Sequence, residues 1–192
     1  TVTVLQAGAV ADVNTLAADV DLPAAGVTLN QNGAYQPDLE NYEGMLVRFP
    51  DTLTISEQFN LDRFNEIKLS VGGRPENFTN ANDPSVTGYA AFLQEVGGRK
   101  ITYDDGLNVQ NAAIDNLDGF APYSTATAPR MGDTITNLTG VLDYQWAGNA
   151  ASPNAYRLRP VAALTGGVPN FQAANPRPAR PQSRSRYHRR AA

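Results

Sequence analysis

From Tyr42 onward, apolar and polar positions fall into period-two runs, the spacing of half-buried strands. Met45, Val47 and Phe49 alternate with Leu46 and Arg48, Pro50 interrupts, and Leu53-Thr54-Ile55 resumes. This reads as one long bent strand, with the proline tolerated at an edge or bulge. In the next run Phe64, Glu66, Lys68 and Ser70 alternate with Asn65, Ile67, Leu69 and Val71, until Gly72-Gly73 ends it. From Ser85 the period changes. Val86, Tyr89, Ala90 and Leu93 stand at i, i+3, i+4 and i+7, with Asp83 or Ser85 to cap the start, Pro84 for a first turn and Gly97-Gly98 to stop it. Arg99 to Tyr103 predicts a third strand closed by an Asp104-Asp105-Gly106 turn. A loop of about 25 residues to Arg130 follows, a length that is uncommon and usually functional or disordered. Thr134 to Trp146 then predicts a strand with Leu138, Leu142 and Tyr144 on one face and Gly140 at a bulge. After a turn over 147–153, Tyr156 to Val161 predicts the last strand.

Five long, glycine-punctuated strands and one helix predict a mainly β fold. A small five-stranded OB-like Greek-key barrel over residues 42–165 fits better than a sandwich, which wants about seven strands. The helix falls between the second and third strands, where the usual OB helix follows the third. Residues 1–41 read as the end of a preceding module and an extended linker, with Thr1 to Leu5 as an end strand and Val27-Thr28-Leu29 as a short edge strand. Residues 166–192 read as a linker and an Arg-rich tail.

Charge sharpens this division. The chain has 192 residues and a formal net charge of −4, but all 19 acidic residues precede Arg177. Nine basic residues share that body, which therefore carries −10, while Arg177 to Ala192 carries six arginines and no acid. The tail has nothing to bury and is expected to be disordered; a +6 tail attracts phosphate in a salt-dependent way while the body repels it. The absence of cysteine excludes disulfides, a thiol nucleophile and thiolate metal sites. A single histidine, His188, leaves no His-rich metal cluster and no Ser-His-Asp triad. No apolar run reaches the ~18 residues of a membrane helix. A chain that opens at Thr1 is expected to be a processed or excised piece.

Candidate chemistry is sparse. Asp104 and Asp105 are adjacent carboxylates, but a D-D-G turn wants Asp and Gly for backbone reasons. Asp115, Asn116 and Asp118 resemble a loose calcium loop without the full ligand pattern, and Glu43-Gly44 reads as a solvated strand edge. Neither Gly72-Gly73 nor Gly97-Gly98 belongs to a phosphate-cradling motif, and the sequons at Asn77 and Asn137 are of a kind that recurs by chance. No catalytic or metal-ligating set emerges. Nucleic-acid binding needs aromatic platforms beside a basic groove. Phe64, Tyr103, Tyr144 and Trp146 are candidate stackers, although Phe64 and Tyr144 suit a core equally well. Arg48, Arg63, Lys68, Arg74 and Lys100 are candidate groove residues.

The string Tyr42-Glu43-Gly44-Met45-Leu46-Val47, followed by Leu53-Thr54-Ile55, resembles the region upstream of the catalytic domain in secreted bacterial nucleases of the ExeM/NucH type. Further segments follow in order: Phe59-Asn60-Leu61, Arg63-Phe64, Glu66 to Ser70, Gly73-Arg74, Asp104-Asp105-Gly106 and Arg130-Met131-Gly132-Asp133. Leu138 to Tyr144, Tyr156 to Pro160 and Asn175-Pro176-Arg177-Pro178 complete the series, which spans about residues 40–178. The resemblance implies secretion or a cell-surface location. It also implies that phosphodiester chemistry resides in a downstream endonuclease/exonuclease/phosphatase-type domain that uses a divalent metal such as Mg or Ca. Here Ala179 to Arg184 and the Arg-rich end replace that domain, so no catalytic residue or cofactor is carried over and the chain alone is not expected to hydrolyse nucleic acid. The expected role is that of a non-catalytic accessory region whose partners are DNA and the catalytic domain. The alternative is a cell-surface or assembly module that binds protein and no nucleic acid.

Overall fold

The computed structural model describes residues 17–106, 110, 129–146, 154–159, 161 and 171–173. The expected strand at Thr1–Leu5, the Asp115–Asp118 reading and the Arg-rich tail lie outside the described residues, as does most of the long loop. The protein is mainly β. Its strands are β1 (Ala18–Asp19), β2 (Val27–Leu29), β3 (Tyr35–Pro37), β4 (Leu46–Phe49), β5 (Leu53–Glu57), β6 (Ile67–Val71), β7 (Lys100–Tyr103), β8 (Thr134–Ile135), β9 (Leu138–Gln145) and β10 (Ala155–Arg159). Two helices interrupt them, α1 (Leu61–Phe64) and α2 (Val86–Gly98).

Eight strands form one curled sheet in the order β1-β4-β9-β10-β7-β6-β5-β8, and β2-β3 is a separate hairpin. The curl comes from two bent strands, each used twice. β4 and β5 are the halves of the long strand that bends at Pro50, and β8 and β9 are halves of a second, turned at Asn137 with φ 57°. The first halves pair as β4 with β9, Val47 opposite Gly140, and the second halves as β5 with β8, Leu53 opposite Ile135. The chain therefore links the two ends of the sheet order. β10 lies between β9, to which it is antiparallel, and β7, to which it is parallel.

Alternation then sorts the side chains. Val47, Phe49, Leu53, Ile55, Ile67, Leu69, Ile101, Tyr103, Leu142 and Leu158 point inward and form the core. Val20, Leu22 and Leu39 are buried in the same cluster, and β1 runs parallel to β4. The segment from residue 17 to 41 is thus packed onto the body instead of running as an extended linker.

Two local expectations, at Phe64 and at Gly140, are corrected. Phe64 ends a helical turn instead of starting a strand, and Asn65 takes a left-handed conformation (φ 54°) that re-aims the chain into β6. α2 ends at Gly98, with Arg99 as its cap, so Gly97-Gly98 stops the helix as expected and has a second use as well. A Cβ on Gly97 would stand 2.4 Å from Tyr35 Cβ and 2.6 Å from Tyr35 O, so glycine is there to let the β2-β3 hairpin touch the helix backbone. Gly140 sits in regular register and makes no bulge; a Cβ there would meet the Arg159 carbonyl oxygen at 2.3 Å.

Because that oxygen belongs to backbone fixed in the sheet, Gly140→Ala should cost about 2–3 kcal/mol, read as a lower urea midpoint at unchanged m-value.

Candidate functional site

β6, β7 and β10 present one outward row. Lys68 is opposite Thr102, and Thr102 is opposite Arg157, while their neighbours Leu69, Ile101 and Leu158 face the core. The β2-β3 hairpin lies over this face and leaves a groove of about 330 Å³, whose walls include Lys68, Lys100 and Thr102 from the sheet and Asn32, Tyr35 and Gln36 from the hairpin. The hairpin loop is fixed locally: Asn30 Oδ1 accepts hydrogen bonds from the backbone N–H groups of Asn32 (3.0 Å) and Ala34 (2.9 Å).

Two features of the groove invite a ligand. Lys68 is ion-paired to Glu57 at 2.8 Å, but Lys100, half-buried next to it, has no hydrogen-bond or ion-pair partner among the described residues. Burial, and then the charge of Lys68, hold the Lys100 ammonium below the ordinary lysine range. The buried Gln36 Oε1 also lacks a hydrogen-bond partner among the described residues. An anion beside Lys100 and a donor at Gln36 would satisfy both.

The floor is a buried ionic network. Arg157, only 2% exposed, donates from Nη1 to Glu66 Oε2 (2.7 Å) and Asp104 Oδ2 (2.6 Å), and from Nε to the Gln145 carbonyl (2.9 Å). Asn60 Nδ2 donates to the other Glu66 oxygen at 3.2 Å. Arg159 bonds both Asp104 and Asp143. Asp104 Oδ1 also accepts the Gly106 N–H at 2.8 Å, and Asp105 Oδ2 accepts from Asn65 at 3.0 Å. The D-D-G turn chemistry is present, but Asp104 is also ion-paired to two arginines and Asp105 is bonded to Asn65, so both adjacent carboxylates hold structural contacts here.

Of the seven residues singled out for nucleic-acid contact, Lys68 and Lys100 meet in the groove. Arg48 is on β4 and is bidentate to Asp19 (2.6 and 2.9 Å), which holds the Asp19 carboxyl below its usual range. Arg63 lies over the Phe64 ring at 5.2 Å and donates to Gln110. Arg74 is exposed in the loop after β6, and Trp146 is exposed just beyond β9. Tyr103 departs from the expectation. It points into the core, where burial, and then Asp105, raise its hydroxyl pKa, so it offers no ring face to a base. Phe64 is likewise buried, and Tyr144 packs on Tyr156 with ring centroids 4.8 Å apart.

Sequence reasoning missed Tyr35, Gln36 and Arg157. The signal for the hairpin was present: Asn30-Gln31-Asn32-Gly33 between two short runs is turn chemistry. For Arg157 there was none, because a lone arginine in a strand reads as exposed.

No family model, curated protein or solved structure matches the chain. Among the described residues no helix is long and apolar enough to cross a membrane, and no three His, Asp or Glu side chains converge as metal ligands.

Replacing Arg157 by methionine keeps the volume but leaves the buried Glu66 without its counter-ion and Asp104 with Arg159 alone, and should cost roughly 3–5 kcal/mol in chemical denaturation.

Proposed function

We propose that this chain is the non-catalytic accessory region of a secreted bacterial nuclease, and that it holds single-stranded nucleic acid in the groove over β6, β7 and β10. The observation that carries this reading is the half-buried Lys100 beside Lys68, which makes no hydrogen bond or ion pair among the described residues and which a phosphate would neutralise. Tyr35, 36% exposed on the groove wall, supplies a ring for a base to stack on. A volume of about 330 Å³ suits one unit of a single strand, not a duplex.

The barrel is read as OB-like. From residue 42 onward, counting each bent strand once gives five strands among the described residues: 46–57, 67–71, 100–103, 134–145 and 155–159. The pairings then run first-second-third-fifth-fourth-first, with the third and fifth parallel. The groove lies on the second and third of these, the face on which OB folds hold oligonucleotides. The divalent metal and the phosphodiester chemistry belong to a separate catalytic domain, and secretion follows from the same resemblance.

Anisotropy of labelled single- and double-stranded oligonucleotides against the full chain tests the proposal. Two groove lysines predict a log–log salt slope of about −1.4 for single strands, before any contribution of the Arg-rich tail. Lys68→Gln with Lys100→Gln should remove that part and leave the fold intact. Since an anion favours the charged ammonium, affinity should decline as pH rises through the lowered Lys100 pKa, earlier than for an ordinary lysine. Equal binding by parent and double variant would sink the groove as the site.

The second reading, a cell-surface or assembly module that binds protein only, is favoured by a different surface. Val86, Tyr89 and Leu93 on α2 are exposed. Absence of oligonucleotide binding by the full chain at low salt would select it.

A further inference from the structure

The stripe on α2 has the spacing of a core-facing helix, yet Val86 is 90% exposed, Tyr89 49% and Leu93 40%. Exposed apolar side chains grouped in this way mark interaction surfaces more often than scattered ones do. The stripe is also backed by a rigid support. Phe78 packs edge-on against Tyr89 with centroids 5.8 Å apart and tilts on Phe92 at 5.6 Å. Gly88 allows this approach, since a Cβ there would lie 3.0 Å from Phe78 Cζ. Ser85 accepts the Gly88 N–H at 3.1 Å and fixes the start of the helix. A shallow groove of about 590 Å³ is left between the Phe78 turn and the helix.

Charge says what kind of partner fits. Glu76 lines this groove, and Asp83 and Glu95 line the adjoining hollow; no lysine or arginine lines either. Glu95 is engaged by Arg99 at 3.3 Å, whereas Glu76 and Asp83 make no ion pair among the described residues. An acidic rim repels phosphate, which separates this face from the lysine groove. It also disfavours a second copy of the chain, because a two-fold contact sets rims of one sign against each other. We infer that the α2 face is a docking surface for a protein segment that presents apolar side chains flanked by lysine or arginine. The inference does not depend on the oligonucleotide reading of the other groove.

The test uses the full chain and two labelled synthetic amphipathic helices, both with Leu at i, i+3, i+4 and i+7, one with Lys and the other with Glu at the remaining positions. The Lys peptide should bind and the Glu peptide should not. Val86→Ser with Leu93→Ser, at sites exposed enough to leave the thermal melt unchanged, should weaken binding roughly tenfold. Glu76→Gln with Asp83→Asn should weaken it about fivefold at low salt and much less at high salt. Unchanged affinity in the serine variant would place the peptide elsewhere on the acidic body and overturn the proposal. Equal binding of the Glu peptide would overturn the role of the rim. Sedimentation velocity showing a dimer that the serine variant dissociates would replace the basic partner with a second copy.

Discussion

Everything in this structure follows from two strands that are each hydrogen-bonded on both sides of a bend. Leu46–Phe49 and Leu53–Glu57 pair with Leu138–Gln145 and Thr134–Ile135 in turn, so one pair of long strands is paired near both ends of the sheet order, with only β1 outside it. A flat sheet cannot satisfy both pairings at once. Curvature gives the sheet an inside, filled by the alternate residues of every strand, and an outside on which polar residues are brought into register. The tight inner curve also explains Gly140, where the backbone of a neighbouring strand comes too close for any side chain.

On the outer face the problem is charge. Three acidic side chains, Glu66, Asp104 and Asp143, meet two arginines, Arg157 and Arg159, with most of these groups shielded from water. An apolar floor could be as stable. The ionic one adds direction, because each bond specifies which strand lies next to which. The hairpin adds depth, and it can do so because Gly97 and Gly98 let it reach the helix backbone. Lys100 is left half-buried, with no ion pair of its own among the described residues and with Glu57 already paired to Lys68, and the groove acquires its binding potential from that imbalance.

The strand runs were legible because their signal is local. Pro50 as a bend, the β6 alternation, the β7 strand and the helical spacing from Ser85 follow from residues next to one another, and the β6 alternation also set Lys68 on the face opposite Ile67 and Leu69. What required distant residues was not legible. Tyr103 has the composition of a stacking residue, and only its register opposite Ile67 and Leu158 turns it inward. Gly97-Gly98 carries the mark of a helix stop and the helix ends there, but the hairpin some sixty residues earlier that also requires glycine could not be read from it. Arg48 is drawn off by Asp19, a partner 29 positions away. The helix stripe was visible as a period, while its exposure depends on what the sheet leaves uncovered.

The place of β10 has a consequence for how the molecule forms. It is the last strand of the sheet in chain order, yet it lies in the middle of the sheet, between β9 and β7. Arg157, which it carries, bonds partners 91 and 53 positions earlier. A chain emerging from the ribosome would therefore hold Glu66 and Asp104 without their counter-ion, and two strand edges without their partner, until β10 is clear of the exit tunnel. Closing so long a loop is entropically slow. The nascent body stays open to chaperones, and to pairing with other open copies, up to the moment at which this strand is inserted.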